Sequence, residues 1–189
     1  METREFVKVP KERVGIIIGA DGRVKNIIEK ETKTRLEIDG EEGDIIIVPT
    51  AEMEDPLAVW KARDIVRAIG RGFSPERAFR LLGDDELLEI VDLTLFTNKS
   101  KKALARIKGR IIGEGGKTRK IIEEVSGAIL SVYGHTVAVI GDADQGRMAK
   151  EAIIMLVDGA PHSTVYGVLQ KRKRALKRRL ASWKTASGT

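Results

Sequence analysis

The sequence predicts an α+β protein made of two tandem copies of one β-α-α-β-β-α unit, followed by a basic C-terminal helix. The first observation is an internal repeat, in which residues 106–124 match residues 13–30 and Gly113 falls 94 positions after Gly19. The second is that the same order of predicted strands and helices surrounds each copy. The third is a last segment whose charged side chains are all basic.

The first copy is predicted to occupy residues 1–83, including a short connecting helix. Strands are expected where apolar and polar side chains alternate, and helices where apolar residues recur every three or four positions. Proline at the first helical position and Ser74 before Pro75 indicate two helix starts. The predicted elements are strand 4–9, helix 10–18, helix 23–33, strands 34–38 and 44–48, helix 56–70 and the connecting helix 74–82.

The second copy is predicted over residues 84–159, with the same order of elements. They are strand 87–96, helix 101–112, helix 117–125, strands 128–133 and 136–140, and helix 145–157. After Gly159-Ala160-Pro161, a last helix and tail are expected over 160–189. Its apolar side chains form one stripe at helical spacing: Val165, Val168, Leu169, Leu176, Leu180 and Trp183.

Composition limits the possible functions. The chain of 189 residues contains no Cys and two His, so thiolate metal sites and disulfides are excluded and no metal is expected. No apolar run approaches the ~18 residues of a membrane span. The N-terminal residues are charged from the second position, so we expect no signal peptide, no membrane contact and a cytoplasmic location.

The net charge of +6 is concentrated at the C-terminus. Residues 159–189 contain eight of the 34 Lys and Arg residues and no Asp or Glu. Eight uncompensated positive charges on one element favour a polyanion as partner, although a solvated helix face would have the same composition. The candidate RNA contacts in this segment are Lys171, Arg172, Arg174 and Arg178.

Each repeat contains a Gly-x-x-Gly turn between two predicted helices. Paired glycines let a sugar-phosphate chain approach the backbone, and the helix that follows directs its free amides and positive dipole end at the same phosphates. Ile18 and Ile112 would provide an aliphatic floor under bases, since the chain has only 4% aromatic residues. The candidate RNA-binding residues are Ile18, Gly19, Ala20, Asp21, Gly22, Arg23 and Lys25 in the first copy, and Arg110, Ile112, Gly113, Glu114, Gly115, Gly116, Lys117 and Arg119 in the second.

This repeated pattern resembles the nucleic-acid-binding loop of KH domains, in the type I order because two strands and a helix follow each loop. Two strings outside the loops look like the partner-of-Nob and Krr group of small-subunit ribosome-assembly proteins: Gly70-Arg71-Gly72-Phe73 and Gly159-Ala160-Pro161-His162-Ser163-Thr164-Val165-Tyr166. The length suggests an archaeal-type member. The resemblance implies binding of single-stranded rRNA near the 3′ end of the small-subunit rRNA, beside a Nob-type endonuclease. It also implies contact with an initiation factor subunit, and no cofactor.

The loops depart from the usual KH pattern, which has a basic residue between the glycines. Here Asp21 and Glu114 place a carboxylate there, and the first copy adds acidic residues between its two strands. We therefore expect the second copy to carry most of the RNA affinity. Two alternatives stay open: an adaptor of an RNA-degrading complex, and a protein scaffold whose loops no longer bind RNA.

Catalysis is not expected, because the chain has no arrangement of nucleophile, base and orienting group. The Gly-Lys-Thr ending at Thr118 resembles a P-loop, but residue 111 is Ile where that motif requires Gly. We expect His162 to begin the last helix and Tyr166 to pack between the two units, and the alternative is an RNA-stacking pair. Trp60 is expected in the core, and the role of Trp183 is left open.

Overall fold

The computed structural model describes residues 4–98 and 100–186, so the ends of the first and last predicted segments, 1–3 and 187–189, lie outside it. The first half contains β1 (Glu5–Lys8), α1 (Lys11–Ile18), α2 (Arg23–Thr32), β2 (Thr34–Ile38), β3 (Asp44–Pro49), α3 (Ala58–Gly70) and α4 (Pro75–Ala78). The second half contains β4 (Leu87–Asp92), α5 (Lys101–Ile112), α6 (Lys117–Ser126), β5 (Ile129–Tyr133), β6 (Thr136–Gly141), α7 (Ala143–Val157) and α8 (His162–Ala186).

Both halves have the same sheet topology. Each sheet has three antiparallel strands, and the strand that comes last in sequence lies in the centre: β1-β3-β2 in the first half and β4-β6-β5 in the second. Two pairings define the first sheet, Phe6 with Ile46 and Leu36 with Ile47. Helices cover one face of each sheet, and the β-branched residues of the strands fill the space beneath them.

Repeated apolar residues occupy matching core positions. Ile17 and Ile111, Ile28 and Ile122, and Leu36 and Leu130 are all at most 1% exposed and fill the two cores. Burying one such side chain contributes about 1.5–3 kcal/mol. The internal repeat in the sequence is therefore a repeat of the core, and the α+β class and its two-copy element order are as predicted.

The outer face of the second sheet packs against the first half. Ala138 and Ile140 are fully buried in the first core cluster, and Leu88, Ile90 and Ile129 pack against it from the same sheet face. Phe73, from the segment between α3 and α4, is 1% exposed. The two halves thus share a continuous apolar interface.

Polar contacts border this interface. Arg77 forms an ion pair with Glu123, and Arg80 donates to the Gly127 carbonyl oxygen at 2.8 Å. The hydroxyl of Ser131 donates to the Arg71 carbonyl oxygen at 2.9 Å. Residues 71–80 therefore join the halves, which gives a structural role to the Gly70-Arg71-Gly72-Phe73 string.

One contact of the same interface lies beside α1. The Tyr133 hydroxyl donates to the Glu12 carboxylate at 2.5 Å, and the Arg13 guanidinium lies 5.5 Å from the centre of the Tyr133 ring. The Tyr133 hydroxyl lowers the pKa of Glu12 and has its own pKa raised in return. The Glu12 carboxylate of the first half is thus hydrogen-bonded to a side chain of the second half.

Several predicted boundaries are wrong, and each has a local cause. The strand predicted over 87–96 ends at Asp92, because the Asp92 carboxylate accepts hydrogen bonds from the amide and hydroxyl of Thr94 and turns the chain into a 3₁₀ turn. Helix α7 begins two residues before Gln145, since Asp142 and Gln145 form a capping box. Pro10 is the N-cap of α1 and not its first helical residue, and α3 begins at Ala58 and not at Pro56.

One prediction about a large side chain is wrong, and the predicted stripe of α8 is buried only in part. Trp60 is 46% exposed and donates from its indole nitrogen to Glu5 at 3.1 Å, so it is not a core residue. The apolar stripe of α8 divides along its length. Val165 and Leu169 are buried against α6 and α7, whereas Leu180 and Trp183 are 53% and 73% exposed because α8 extends past the helices that cover its first half.

Candidate nucleic-acid interface

The two glycine loops have the same backbone conformation. Gly19 and Gly113 have φ/ψ of 73°/174° and 74°/171°, and Gly22 and Gly116 have 74°/12° and 78°/12°. The third loop residue is left-handed in both copies: Asp21 at 52°/29° and Gly115 at 58°/21°. Different residues therefore form the same turn conformation in the two copies.

The first glycine of each loop cannot carry a side chain. A Cβ on Gly19 would lie 2.9 Å from the backbone nitrogen of Val24, and one on Gly113 would lie 2.7 Å from that of Thr118. Their φ near +73° with ψ near 180° is also a region that only glycine adopts readily. The glycines thus bring the loop close to the first turn of α2 or α6.

These first turns present free backbone donors. Helix α2 follows Gly22 and helix α6 follows Gly116, and neither has a side-chain cap on its first amides. Uncapped amides and the positive end of the helix dipole form an environment that favours phosphate. Each loop therefore presents an anion-binding helix start at a place where the backbone is bare.

The expected apolar floor is present in part. Ile18 and Ile112 end α1 and α5 beside the loops, and both are partly exposed. Ile18 packs at the edge of the first core, which fixes its position. Aliphatic side chains in this place can contact the faces of bases without aromatic stacking.

Cations flank both loops but differ in their availability. Arg23 and Lys117, the first residues of α2 and α6, are exposed beside the loops. Lys25 lies 3.8 Å from Glu29 in an ion pair. Arg119 is partly buried, and its Nε has no hydrogen-bond partner among the described residues. Arg23 and Lys117 are therefore the most accessible cations for a phosphate at each loop.

Arg110 has a structural role that the sequence did not indicate. Its guanidinium donates to the Leu156 carbonyl oxygen at 3.0 Å and to that of Ala160 at 2.5 Å. These bonds tie α5 to the end of α7 and to the start of α8. Because two of its donors are used in this way, Arg110 has fewer donors left for RNA than its place among the candidate RNA-binding residues suggests.

The basic cluster on α8 is neutralised in part. Arg172 forms two hydrogen bonds with Glu151, at 3.0 and 2.9 Å, and Arg179 contacts Asp144 at 2.5 Å. The predicted contacts Lys171, Arg174 and Arg178 are exposed and belong to no ion pair in the described part of the chain. The available positive charge on this helix is thus smaller than its composition suggests.

The acidic connection between β2 and β3 carries a stable negative charge. The amides of Glu42 and Glu41 donate to the Asp39 carboxylate at 3.1 and 2.8 Å and lower its pKa. In the second copy, the corresponding connection is the short turn at Gly134-His135, which has no carboxylate. The electrostatic contrast between the copies is therefore larger than the loops alone indicate.

Comparison with known proteins identifies the family. Residues 6–84 match the family described as Krr1 KH1 domain, and residues 87–174 match the family described as Eukaryotic type KH-domain (KH-domain type I). The KH domain-containing protein MJ0443 of Methanocaldococcus jannaschii is 48% identical over 184 residues, which are 97% of this chain and 80% of that protein.

A solved structure and a fungal relative agree. A chain of the a/eIF2alpha-aDim2p-rRNA complex from Pyrococcus horikoshii OT3 is 56% identical with a TM-score of 0.88, and the match covers 92% of this chain and 96% of that one. The Pre-rRNA-processing protein pno1 of Schizosaccharomyces pombe is 33% identical over 131 residues, 67% of this chain and 53% of that protein. The chain belongs to the Pno1/Dim2 family of tandem KH-domain proteins.

The predicted family and fold class are thereby confirmed: two tandem type I KH domains and a C-terminal helix. Each Gly-x-x-Gly loop of this chain joins the first two helices of a KH domain. The predicted RNA contacts Ile18–Lys25 and Ile112–Arg119 lie at these two loops, whereas Lys171, Arg172, Arg174 and Arg178 lie on a separate helix. No helix in the described part of the chain has the length and apolar character to cross a membrane.

His162 and Tyr166 lie beside the second KH loop, a position that sequence reasoning did not assign to them. His162 begins α8, and its Nε2 donates to the Arg110 carbonyl oxygen at 2.9 Å. Tyr166 contacts the Thr118 hydroxyl through its own hydroxyl at 3.0 Å. Tyr166 therefore lies beside the second loop, and the expectation that it packs between the units is wrong. The family-specific string contains both residues and was the available sequence signal. Their position at the loop also depends on the packing of α8 against α6, which the sequence does not specify.

Proposed function

We propose that this protein binds single-stranded RNA at the 3′ end of the small-subunit rRNA, in small-subunit assembly and in maturation of that end, without catalysing a reaction. The observation that carries the proposal is the pair of glycine loops, each preceded by a partly exposed isoleucine and followed by a helix without a side-chain cap. Family relatives named for pre-rRNA processing and for an rRNA complex support the choice of RNA.

The second KH domain is proposed to carry most of the affinity. Its loop has Gly115 where the first has Asp21, and its strand connection lacks the Asp39 carboxylate and its neighbours. Phosphate approaching the first loop meets more negative charge, so its binding free energy there is weaker. The exposed Lys171, Arg174 and Arg178 add sequence-independent attraction.

Two proteins are proposed as partners of this chain. A solved relative forms a complex with a/eIF2alpha and rRNA, which supports an initiation factor subunit as a partner of this chain. A Nob-type endonuclease that acts on the bound rRNA end is the second proposed partner, on the strength of the family resemblance. The proposed location is the cytoplasm, where both partners would meet the ribosomal subunit.

The test is RNA binding by the whole protein at two salt concentrations, with RNA of the small-subunit 3′ end against a scrambled RNA. The key variant carries Glu114→Asp and Gly115→Asp together. Asp21 already adopts this left-handed backbone in the first loop, so the variant is expected to fold. Ala20→Asp is the matched control, because it also places two aspartates in a loop.

The expected result is sequence-preferring binding that the second-loop variant weakens at least about tenfold, or about 1.4 kcal/mol, and the first-loop control weakens less. The logarithm of affinity should fall with the logarithm of salt by about 0.7 per phosphate contacted. Equal losses in both variants would contradict the dominance of the second domain. Binding that ignores RNA sequence and both loops would assign RNA contact to α8, and would make the KH domains a scaffold.

A further inference from the structure

A cleft lies beside the second KH loop, on the side where α8 begins. Its walls are the last turns of α5, the start of α6 and the first turns of α8, with Arg106, Lys117, His162 and Tyr166 among its lining residues. This side of the loop is formed partly by α8, so the cleft is distinct from the surface between the helices and the strands of the domain.

The cleft has cations at its rim. Arg106 and Lys117 are exposed, and neither belongs to an ion pair in the part of the chain that the structure describes. Glu114 is the carboxylate that also lines the cleft, and it is exposed to solvent. The net charge of the lining residues is positive, and Lys117 is the first residue of α6, whose start has no side-chain cap.

Two aromatic rings form the α8 wall and are held in place. The rings of His162 and Tyr166 lie 6.2 Å apart with an angle of 57° between them, and both side chains are partly exposed. His162 is fixed by its bond to the Arg110 carbonyl oxygen, and Tyr166 by its hydroxyl contact with Thr118. Rings fixed by their polar edges lose little entropy when a ligand stacks on them.

The floor of the cleft contains a glycine that packing does not require. Gly109 lies inside α5, where glycine is less favourable than alanine. It is exposed, and a Cβ built there would meet no atom within 4 Å. The bare helix backbone at this position leaves room for a ligand against α5.

The first KH domain lacks several of the residues that form this cleft. Glu12 stands where the second domain has Arg106, and it is bound to Tyr133 across the domain interface. Val24 replaces Thr118, and α3 is followed by α4 in place of a long helix that packs on the second helix of the domain. The cleft is therefore an addition to the second domain and not a general consequence of its fold.

We propose that this cleft holds one further nucleotide of the bound RNA, next to the phosphate at the second KH loop. Its phosphate lies between Arg106 and Lys117, and its base stacks on Tyr166 beside His162. This inference rests on the proposed function, since the loop has to hold the neighbouring phosphate. Base stacking on a tyrosine tolerates any base, so the added nucleotide lengthens the bound segment without narrowing its sequence.

The test measures affinity for a ladder of RNAs that starts with a tetranucleotide from the rRNA 3′ end and is lengthened one nucleotide at a time, at the 5′ or the 3′ end. For the wild type, the first added nucleotide at one end is expected to raise affinity about tenfold. Tyr166→Ala should remove that step and leave tetranucleotide affinity unchanged. Tyr166→Phe keeps the ring and loses only the hydroxyl, so it should retain the step.

Arg106→Ala gives an independent readout because Arg106 is exposed and its loss does not threaten the fold. Its salt slope should be lower by about 0.7 with the longer RNA and unchanged with the tetranucleotide. Retention of the affinity step in Tyr166→Ala, together with an unchanged salt slope in Arg106→Ala, would overturn the cleft inference while the proposed function stands. Failure of the wild type to bind any RNA of the ladder would overturn the proposed function itself.

Discussion

At the scale of single residues, the two KH loops adopt the same backbone conformation at different costs in conformational free energy. Asp21 and Gly115 occupy the same left-handed region, at φ of 52° and 58°. A residue with a Cβ is disfavoured there, and aspartate is among the few that tolerate it. The first loop therefore keeps its geometry, but it has a carboxylate at the place that a phosphate would approach.

Asp21→Gly is predicted to improve RNA binding at the first loop. The substitution removes one negative charge and the left-handed cost of a Cβ, so RNA affinity should rise about two- to fivefold. The free energy of unfolding should change by less than about 1 kcal/mol, since glycine also gains freedom in the unfolded chain. Titration with the rRNA 3′-end RNA and chemical denaturation measure the two quantities. Unchanged affinity would mean that the first loop does not contact this RNA.

At the scale of elements, α8 performs two tasks along its length. Val165 and Leu169 anchor its first half in the second core, while Lys171, Arg174 and Arg178 project from the solvent-facing side. Arg172 and Arg179 instead pair with Glu151 and Asp144 on α7. The helix is thus both a packing element of the second KH domain and a charged surface.

Replacing Lys171, Arg174 and Arg178 together by alanine is predicted to weaken RNA binding mainly at low salt. Three fewer phosphate contacts should lower the log-log salt slope by about 2 and leave stability unchanged. The matched control replaces Arg172 and Arg179, which should cost about 0.2–1 kcal/mol of stability for each lost ion pair and change the slope less. Similar slopes in the two variants would show that ion pairing does not select the RNA-binding cations.

Elements were predictable from sequence where the signal is local. The glycine loops, the apolar spacing that buries Ile28 and Ile122, and the Ser74 cap all act within a few residues. The role of Arg110 depends on partners 46 and 50 positions away, and that of Tyr166 on a partner 48 positions away. No local sequence pattern specifies such contacts. The exposure of Leu180 and Trp183 was not predictable for the same reason, because periodicity cannot say where the neighbouring helices end.

At the scale of the whole molecule, the domain interface depends on a close approach at Gly72. A Cβ there would lie 2.7 Å from the Ser131 hydroxyl and 2.7 Å from the Tyr133 Cβ, and its φ is +96°. Gly159 has nearly the same φ, +92°, but a Cβ there would meet no atom within 4 Å. Substitutions at the two glycines can therefore distinguish the cost of backbone strain from the cost of a steric clash at the interface.

Gly72→Ala is predicted to destabilise the protein more than Gly159→Ala. Both should lose about 1–3 kcal/mol through the left-handed backbone, and Gly72→Ala should lose about 1–3 kcal/mol more because the domains have to move apart. Chemical denaturation of the two variants measures the difference. Equal losses would mean that the interface can adjust at no cost, and the wild type would then be expected to unfold in two steps.

The same interface also sets a fixed distance along the RNA. Two loops on domains joined by a continuous apolar interface cannot change their separation as domains joined by a flexible linker do. An RNA that contacts both loops has to bridge them with a linker of defined minimum length, and each nucleotide beyond that length lowers the effective concentration of the second contact. The chain would therefore distinguish RNA segments by the spacing between the two contacted sites as well as by their bases.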